Sequence, residues 1–186
     1  MPEIRLSKNL KGRILDLGGG GEGVIGQIYG RQVVAIDMLQ EELDEAPCEC
    51  EKLVMDATAL DFSDASFDHV TAFFTLMYME AVTQEKAIFE AARVLKPNGT
   101  LDIWDADIPL TYPEPFLITL DIDAAGKPIH TTYGIQKQGA QSAAGITAMC
   151  KNAGLHLRET ARREGLFHLS FQKSENRMGS IETPAD

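Results

Sequence analysis

A run of glycines fixes the frame of this chain. Residues 13–38 read RILDLGGGGEGVIGQIYGRQVVAIDM, and Gly18, Gly19, Gly20 and Gly21 directly follow an apolar run that ends at Leu17, with Gly23 just beyond Glu22. A short apolar run bounded in this way is the pattern of a buried strand. Glycines after it let the backbone turn sharply and approach a ligand with no Cβ in between. Val24, Ile25 and Ile28 have helical spacing, and Gly30 stands where such a helix would stop. A helix opening onto the loop presents unpaired N–H groups and a partial positive charge, suited to a phosphate or carboxylate. The next apolar run, Val33 to Ile36, ends in Asp37, nineteen residues after Gly18. An acid at that place can accept both hydroxyls of a ribose. Strand, glycine loop, helix, strand and acid make up half of a nucleotide-type cofactor site.

The glycines alone admit two readings. Gly18, Gly20 and Gly23 satisfy G-x-G-x-x-G, the dinucleotide fingerprint, with Asp37 as its ribose acid. Asp16, Gly18 and Gly20 also make an acid-x-G-x-G pattern, and the rest of the chain has to decide. At 186 residues it is sized for one domain that buries roughly 70% of its unfolded surface. Seventeen basic against twenty-eight acidic residues give a net charge of −11. A duplex-binding surface needs clustered Lys and Arg, so the balance disfavours nucleic acid and favours small molecules, cationic ones included. No apolar run has the length of a membrane span, and the start MPEIRLSKNLKG has no apolar signal region; a cytoplasmic protein is expected. Cys48, Cys50 and Cys150 form no disulfide framework and suit a reducing compartment. Cys48-Glu49-Cys50 lacks the second ligand pair of a closed zinc site, and His69, His130, His156 and His168 show no ligand spacing. Two loop thiols and no metal are therefore expected.

Taken in order, residues 1–12 are polar and read as an irregular arm. Leu39 to Glu45 reads as a short helix, Lys52 to Met55 as a third strand and His69 to Phe74 as a fourth. Thr83 is placed to cap a helix running to Leu95, and Lys96-Pro97-Asn98-Gly99 has the residues of a turn before a fifth strand, Thr100 to Trp104. Repeated strand–helix alternation argues a parallel sheet covered on both faces. The alternation then stops. Residues 108–115 hold three prolines, and 116–135 carry two period-two runs around Ala124-Ala125-Gly126-Lys127, an inserted β-hairpin. A helix near Ala143–Asn152 and strands at 155–160 and 166–172 complete the domain. A single domain over 1–173 is expected, with 174–186 as a flexible tail.

With the elements placed, the chain resembles the class I S-adenosylmethionine-dependent methyltransferases over about residues 10–173. ILDLGGG at 14–20 is similar to their first motif, Asp37 to the acid of the second, and MDATAL at 55–60 to the loop that meets the adenine. FDHVTAFFTLMYM at 67–79 resembles their fourth-strand segment. RVLKPNGTLDI at 93–103 is the most specific match, one that dinucleotide domains do not generally carry. Glu22 departs from the pattern, standing where the family's third glycine usually falls; near the methionine end it could meet the cofactor's ammonium, and a solvent-facing or loop-structural place is expected.

The resemblance implies an α/β, Rossmann-like, doubly wound sheet of seven strands, mostly parallel with one antiparallel strand, in the order 3-2-1-4-5-7-6. It implies S-adenosylmethionine as cofactor and methyl transfer to a small-molecule acceptor by a monomer or homodimer. By the same resemblance Asp16 holds the loop and the amino-acid end, and the backbone of Gly18, Gly19 and Gly20 passes beside the cofactor. Asp37 takes the ribose hydroxyls and Met38 packs near the adenine. Asp56 and Ala57 meet the adenine edge, while Phe74 lies beside the methionine portion. No Asn/Asp-Pro-Pro-Tyr segment follows the fourth strand; Phe74-Thr75-Leu76-Met77 stands there. Acceptor-side candidates are Tyr78, Asp105, Asp107, Tyr112 and His130, with Tyr133 on the hairpin, which is expected to act as a lid or as a dimer interface. Asp105 and Asp107 follow the fifth strand, where an open sheet binds its substrates. The rival readings are an NAD-dependent oxidoreductase and a non-catalytic binding or regulatory module on the same fold.

Overall fold

The structure, a computed structural model, describes residues 2–112, 115–135 and 139–175. In chain order it runs β1 (Glu3–Leu6), β2 (Ile14–Leu17), α1 (Val24–Tyr29), β3 (Val33–Asp37), α2 (Gln40–Glu45), β4 (Glu51–Val54), β5 (Phe67–Phe73) and α3 (Ala81–Val94). Then come β6 (Leu95–Ala106), β7 (Phe116–Ala124), β8 (Lys127–Ile135), α4 (Ala143–Asn152), β9 (Leu155–Arg163) and β10 (Leu166–Lys173). The main sheet has seven strands in the order β4-β3-β2-β5-β6-β10-β9. Pairing is parallel from β4 through β6, and β10 runs antiparallel to both β6 and β9.

Helices on both faces explain why the inner strands are continuously apolar. Leu15, Leu17, Val70 and Ile103 pack with Ala87, Ile88 and Ala91 of α3 and Ile146 of α4. On the opposite face Ile14 and Ala35 pack with Ile25 and Ile28 of α1. By contrast β9, the edge strand, is exposed along its length after Leu155 and rich in charge, which discourages further strand addition. The register sets Leu17 level with Ile36 and with Ala72. The glycine loop, Asp37 and Phe74 therefore leave the sheet along one rim.

Beside the main sheet lies a second, three-stranded one, β1-β7-β8. The hairpin follows the period-two pattern: Ile118, Leu120, Ile122 and Ala124 are buried, while Leu117 on the other face is 61% exposed. The buried row packs against α1 and the main sheet, so the apolar stripe is covered by the domain itself and not by a second protomer. The N-terminal arm departs from expectation. Glu3–Leu6 is a strand paired in parallel with β7, from Glu3 opposite Asp121 to Leu6 opposite Ala124, and supplies partners to an edge that would otherwise stand open.

Other local readings are corrected as well. Helix α3 starts at Ala81 with Glu80 at its N-cap and no side-chain capping bond, so Thr83 does not cap it. Strand β6 already begins at Leu95, and the Lys96–Gly99 segment is absorbed by a register shift against β5, with Asn98 at φ 64. Cys48 and Cys50 are joined as a disulfide instead of standing as two thiols, seated where Gly26 of α1 lacks a Cβ.

Candidate functional site

The glycine loop is shaped by what glycine leaves out. Gly18 has φ 66, and a Cβ there would lie 2.5 Å from the Thr75 side chain, whose Oγ1 donates to the Leu17 carbonyl at 2.8 Å. That close seat ties the end of β2 to the segment after β5. A Cβ on Gly20 would stand 2.6 Å from Glu42 Cβ and 3.0 Å from Asp37 Oδ2. The Gly19 N–H donates to Ile36 O at 3.0 Å and the Gly21 N–H to Glu42 O at 2.8 Å, which holds the loop against the end of β3 and the start of α2.

Asp16 is buried on β2 and accepts from Thr71 Oγ1 at 2.7 Å. Burial pushes its carboxyl up to about 7; the Thr71 hydrogen bond opposes this and the neighbouring Asp37 adds to it. The free protein therefore exchanges a proton at Asp16 near neutrality. An ammonium held at Asp16 would favour the ionised form, so affinity for S-adenosylhomocysteine should rise between about pH 6 and about pH 8 and then level off. Asp16→Asn should flatten the profile when followed by calorimetry. The stability effect has the opposite sign. Between the ordinary value of 3.8 and about 7 the folded state keeps a proton that the unfolded chain has lost, so this group's contribution declines as pH rises through that window.

Asp37 is half-buried, and its Oδ1 accepts from the Leu39 N–H at 3.0 Å. Beyond it Met38 and Leu39 are 68% and 53% exposed, and Val54 at the end of β4 is also exposed, an apolar shelf along the rim. Asp56 is exposed and accepts from both Thr58 N and Thr58 Oγ1 at 2.8 Å, while Ala57 is buried behind it. The residues expected to bind the cofactor thus share one rim of the sheet.

Phe74 has φ 51, an uncommon conformation for a bulky side chain, held by its N–H donating to Trp104 O at 2.8 Å. Its ring is stacked on Tyr133 of β8, with centroids 5.0 Å apart and an interplanar angle of 6°. Thr131 of the same strand donates from Oγ1 to the Glu22 carboxylate. Glu22 therefore faces the hairpin, the loop-structural side of the expectation and not the solvent-facing one. Burial raises the pKa of the Tyr133 phenol, and the adjacent Glu22 carboxylate raises it further. Tyr78 is 56% exposed, with its pKa also raised, by burial first. Thr131 was missed as a site residue; nothing in the sequence links it to a loop so far up the chain.

Other acceptor-side candidates are elsewhere engaged. Asp105 is fully buried and accepts from the N–H groups of Met77 at 3.1 Å and Ala106 at 2.8 Å, and from Gln141 Nε2 at 2.7 Å. Asp107 accepts from the Ala143 N–H at 2.9 Å at the start of α4 and pairs with Arg162. His130 is exposed on the hairpin and bonds Asp121 through Nδ1 at 2.8 Å. Tyr112 is half-buried against Phe116, with ring centroids 5.3 Å apart.

A separate cavity of about 560 Å³ lies between the N-terminal arm, α1 and the main sheet. A hydrogen-bonded row crosses its floor: His69 to Thr100 at 2.8 Å, Thr100 to Asp102 at 2.9 Å, and Asp102 to His168 at 3.1 Å. It lies on strand interiors, away from the glycine loop. Among the described residues no group of three or more His, Cys, Asp or Glu is placed to hold a metal ion, and no helix is long and apolar enough to cross a membrane.

Comparison with known proteins gives this geometry its class. An S-adenosylmethionine-dependent methyltransferase of Methanosarcina mazei superposes with a TM-score of 0.63 at 18% identity, covering 89% of this chain and 95% of that one. CalS10 of Micromonospora echinaspora, an amino pentose methyltransferase solved with S-adenosylmethionine bound, gives 0.62 at 15% identity over 88% and 84%. The [4+2]-cyclase SpnF gives 0.63 at 16% identity over 89% and 77%, so likeness of fold does not by itself select a reaction. The sequence is more specific: residues 15–103 match the family described as a methyltransferase domain. A comparison with curated protein sequences returns no match. The matched segment is a methyltransferase domain, and with these neighbours of the fold it supports a class I S-adenosylmethionine-dependent methyltransferase with S-adenosylmethionine as cofactor. Neither the oxidoreductase nor the non-catalytic reading finds support in these matches.

Proposed function

We propose that the chain methylates a small-molecule acceptor at the rim between the glycine loop and strand β8. The observation that carries this reading is the close approach of the loop backbone to the ribose acid: a Cβ at Gly20 would lie 3.0 Å from Asp37 Oδ2, so the loop and the carboxylate stand side by side on one rim. Glycine lets the backbone come that near the carboxylate, so both can meet one nucleotide laid along the rim. Asp37 would accept the ribose hydroxyls, with Met38 and Asp56 towards the adenine and Ala57 offering its backbone. Asp16 and the backbone of Gly18 and Gly19 would take the amino-acid end, beside Phe74. S-adenosylmethionine supplies an electrophilic methyl group on a sulfonium.

The chain's own task is to hold the nucleophile in line and keep water away, which can lower the barrier by about 7–11 kcal/mol. Tyr133, stacked on the buried Phe74, would give the methionine end an apolar wall, with the exposed Tyr78 at its edge. Asp105 and Asp107 are bound into the fold, so the reading assigns neither to the proton of the acceptor. Net charge of −11 supports a neutral or cationic small molecule over nucleic acid.

The test is a screen of a metabolite extract with methyl-deuterated S-adenosylmethionine, read by mass spectrometry. A small molecule that gains the labelled methyl with the parent chain, but not with Asp37→Ala, is expected. Label on tRNA or protein alone would contradict the reading.

A further inference from the structure

The inserted hairpin meets the cofactor rim through one strand. On β8, Thr131 donates to the Glu22 carboxylate, the Tyr133 hydroxyl lies beside the same carboxylate, and the Tyr133 ring is stacked on Phe74 at 5.0 Å. Glu22 belongs to the glycine loop, between Gly21 and the Gly23 that caps α1. The contact therefore joins the loop that would hold the cofactor to the hairpin that would wall its reactive end. Neither partner needs this bond for its own local fold. The loop is already fixed by Gly19 N–H to Ile36 O and Gly21 N–H to Glu42 O, and β8 by its pairing with β7.

We propose that Glu22 is a positioning residue: it latches β8 over the glycine loop, closes the mouth above the bound cofactor and sets how fast the cofactor nucleotide leaves. This rests on the cofactor site proposed above. A carboxylate suits the task because one group accepts from the two hydroxyls that alternate onto the same face of a strand, at 131 and 133. Thr131 is buried, so water does not readily replace its bond. The rest of the hairpin stays seated through Leu120 and Ile122, which lets the latch open without unfolding the sheet. The same anchoring limits the motion to the β8 face and the loop.

Displacement of a fluorescent S-adenosylhomocysteine analogue, followed by stopped flow, tests the latch on the full chain. Glu22→Ala, Thr131→Val and Tyr133→Phe should each speed release, Glu22→Ala by about tenfold, with melting temperatures close to the parent's. In the double variant Glu22→Ala/Thr131→Val the effects should not add, since both changes break one contact. If Glu22 instead acted only on the cofactor, the two hairpin variants would leave release unchanged, and that result overturns the latch. Unchanged release in Glu22→Ala overturns it as well. Failure of the parent chain to bind S-adenosylhomocysteine would overturn the cofactor site itself, which separates the two claims.

Discussion

Asp37→Ala should weaken S-adenosylhomocysteine binding about 100-fold. Two ribose hydroxyls donating to one carboxylate are charge-assisted bonds, each contributing about 1.5–3 kcal/mol, and the pair does not add in full. A loss near 3 kcal/mol is about two powers of ten in affinity. The fold should survive, because Asp37 is half-buried and among the described residues its side chain accepts only from the Leu39 N–H, at 3.0 Å. Calorimetry on Asp37→Ala and Asp37→Asn reads both terms. Asn keeps the shape and loses the charge, so it should fall between parent and Ala. Parent-like affinity in a variant that melts normally would remove Asp37 from the site.

Leu120→Ala should be the most destabilising single change in the hairpin. Its side chain is fully buried, in the middle of the row that β7 lays against α1 and the main sheet. Truncating a buried leucine costs about 2–5 kcal/mol, made up of lost transfer energy and the cavity left behind. For a chain of this size that corresponds to a melting temperature lower by roughly 4–20 °C. Leu117→Ala, on the exposed face of the same strand, should change it by about 2 °C at most. Equal effects at the two positions would mean that the hairpin is not seated as described. The same burial means that excising 116–135 would strip cover from the core and report on folding before it reported on catalysis.

The sequence carried the local parts of this architecture. Continuous apolar runs gave the central strands, because strands covered on both faces can hold little else. The helix at 143–152 was legible from the apolar spacing of Ile146, Met149 and Cys150, with Gly154 as its stop, and it runs Ala143–Asn152. The glycines and Asp37 were legible because few structural reasons put four glycines and then an acid at strand ends. Long-range partners were not. Glu3–Leu6 has too short a pattern to reveal a strand whose partner, Glu3 opposite Asp121, lies in a distant hairpin. Asp105 and Asp107 read as acceptor-side groups, since an acid at a strand end looks the same whether it faces a substrate or a ring of N–H donors. The hairpin contact of Glu22 was not legible because its partner, Thr131, is brought to it only when the hairpin folds back.

A structure of the chain with S-adenosylhomocysteine bound tests the central claim most directly. The account predicts the ribose hydroxyls on the Asp37 carboxylate, the nucleotide running past Gly20, and the homocysteine end beneath Tyr133 and Phe74. Density for the nucleotide in the 560 Å³ cavity floored by Asp102 and His168, with the glycine loop untouched, would contradict it.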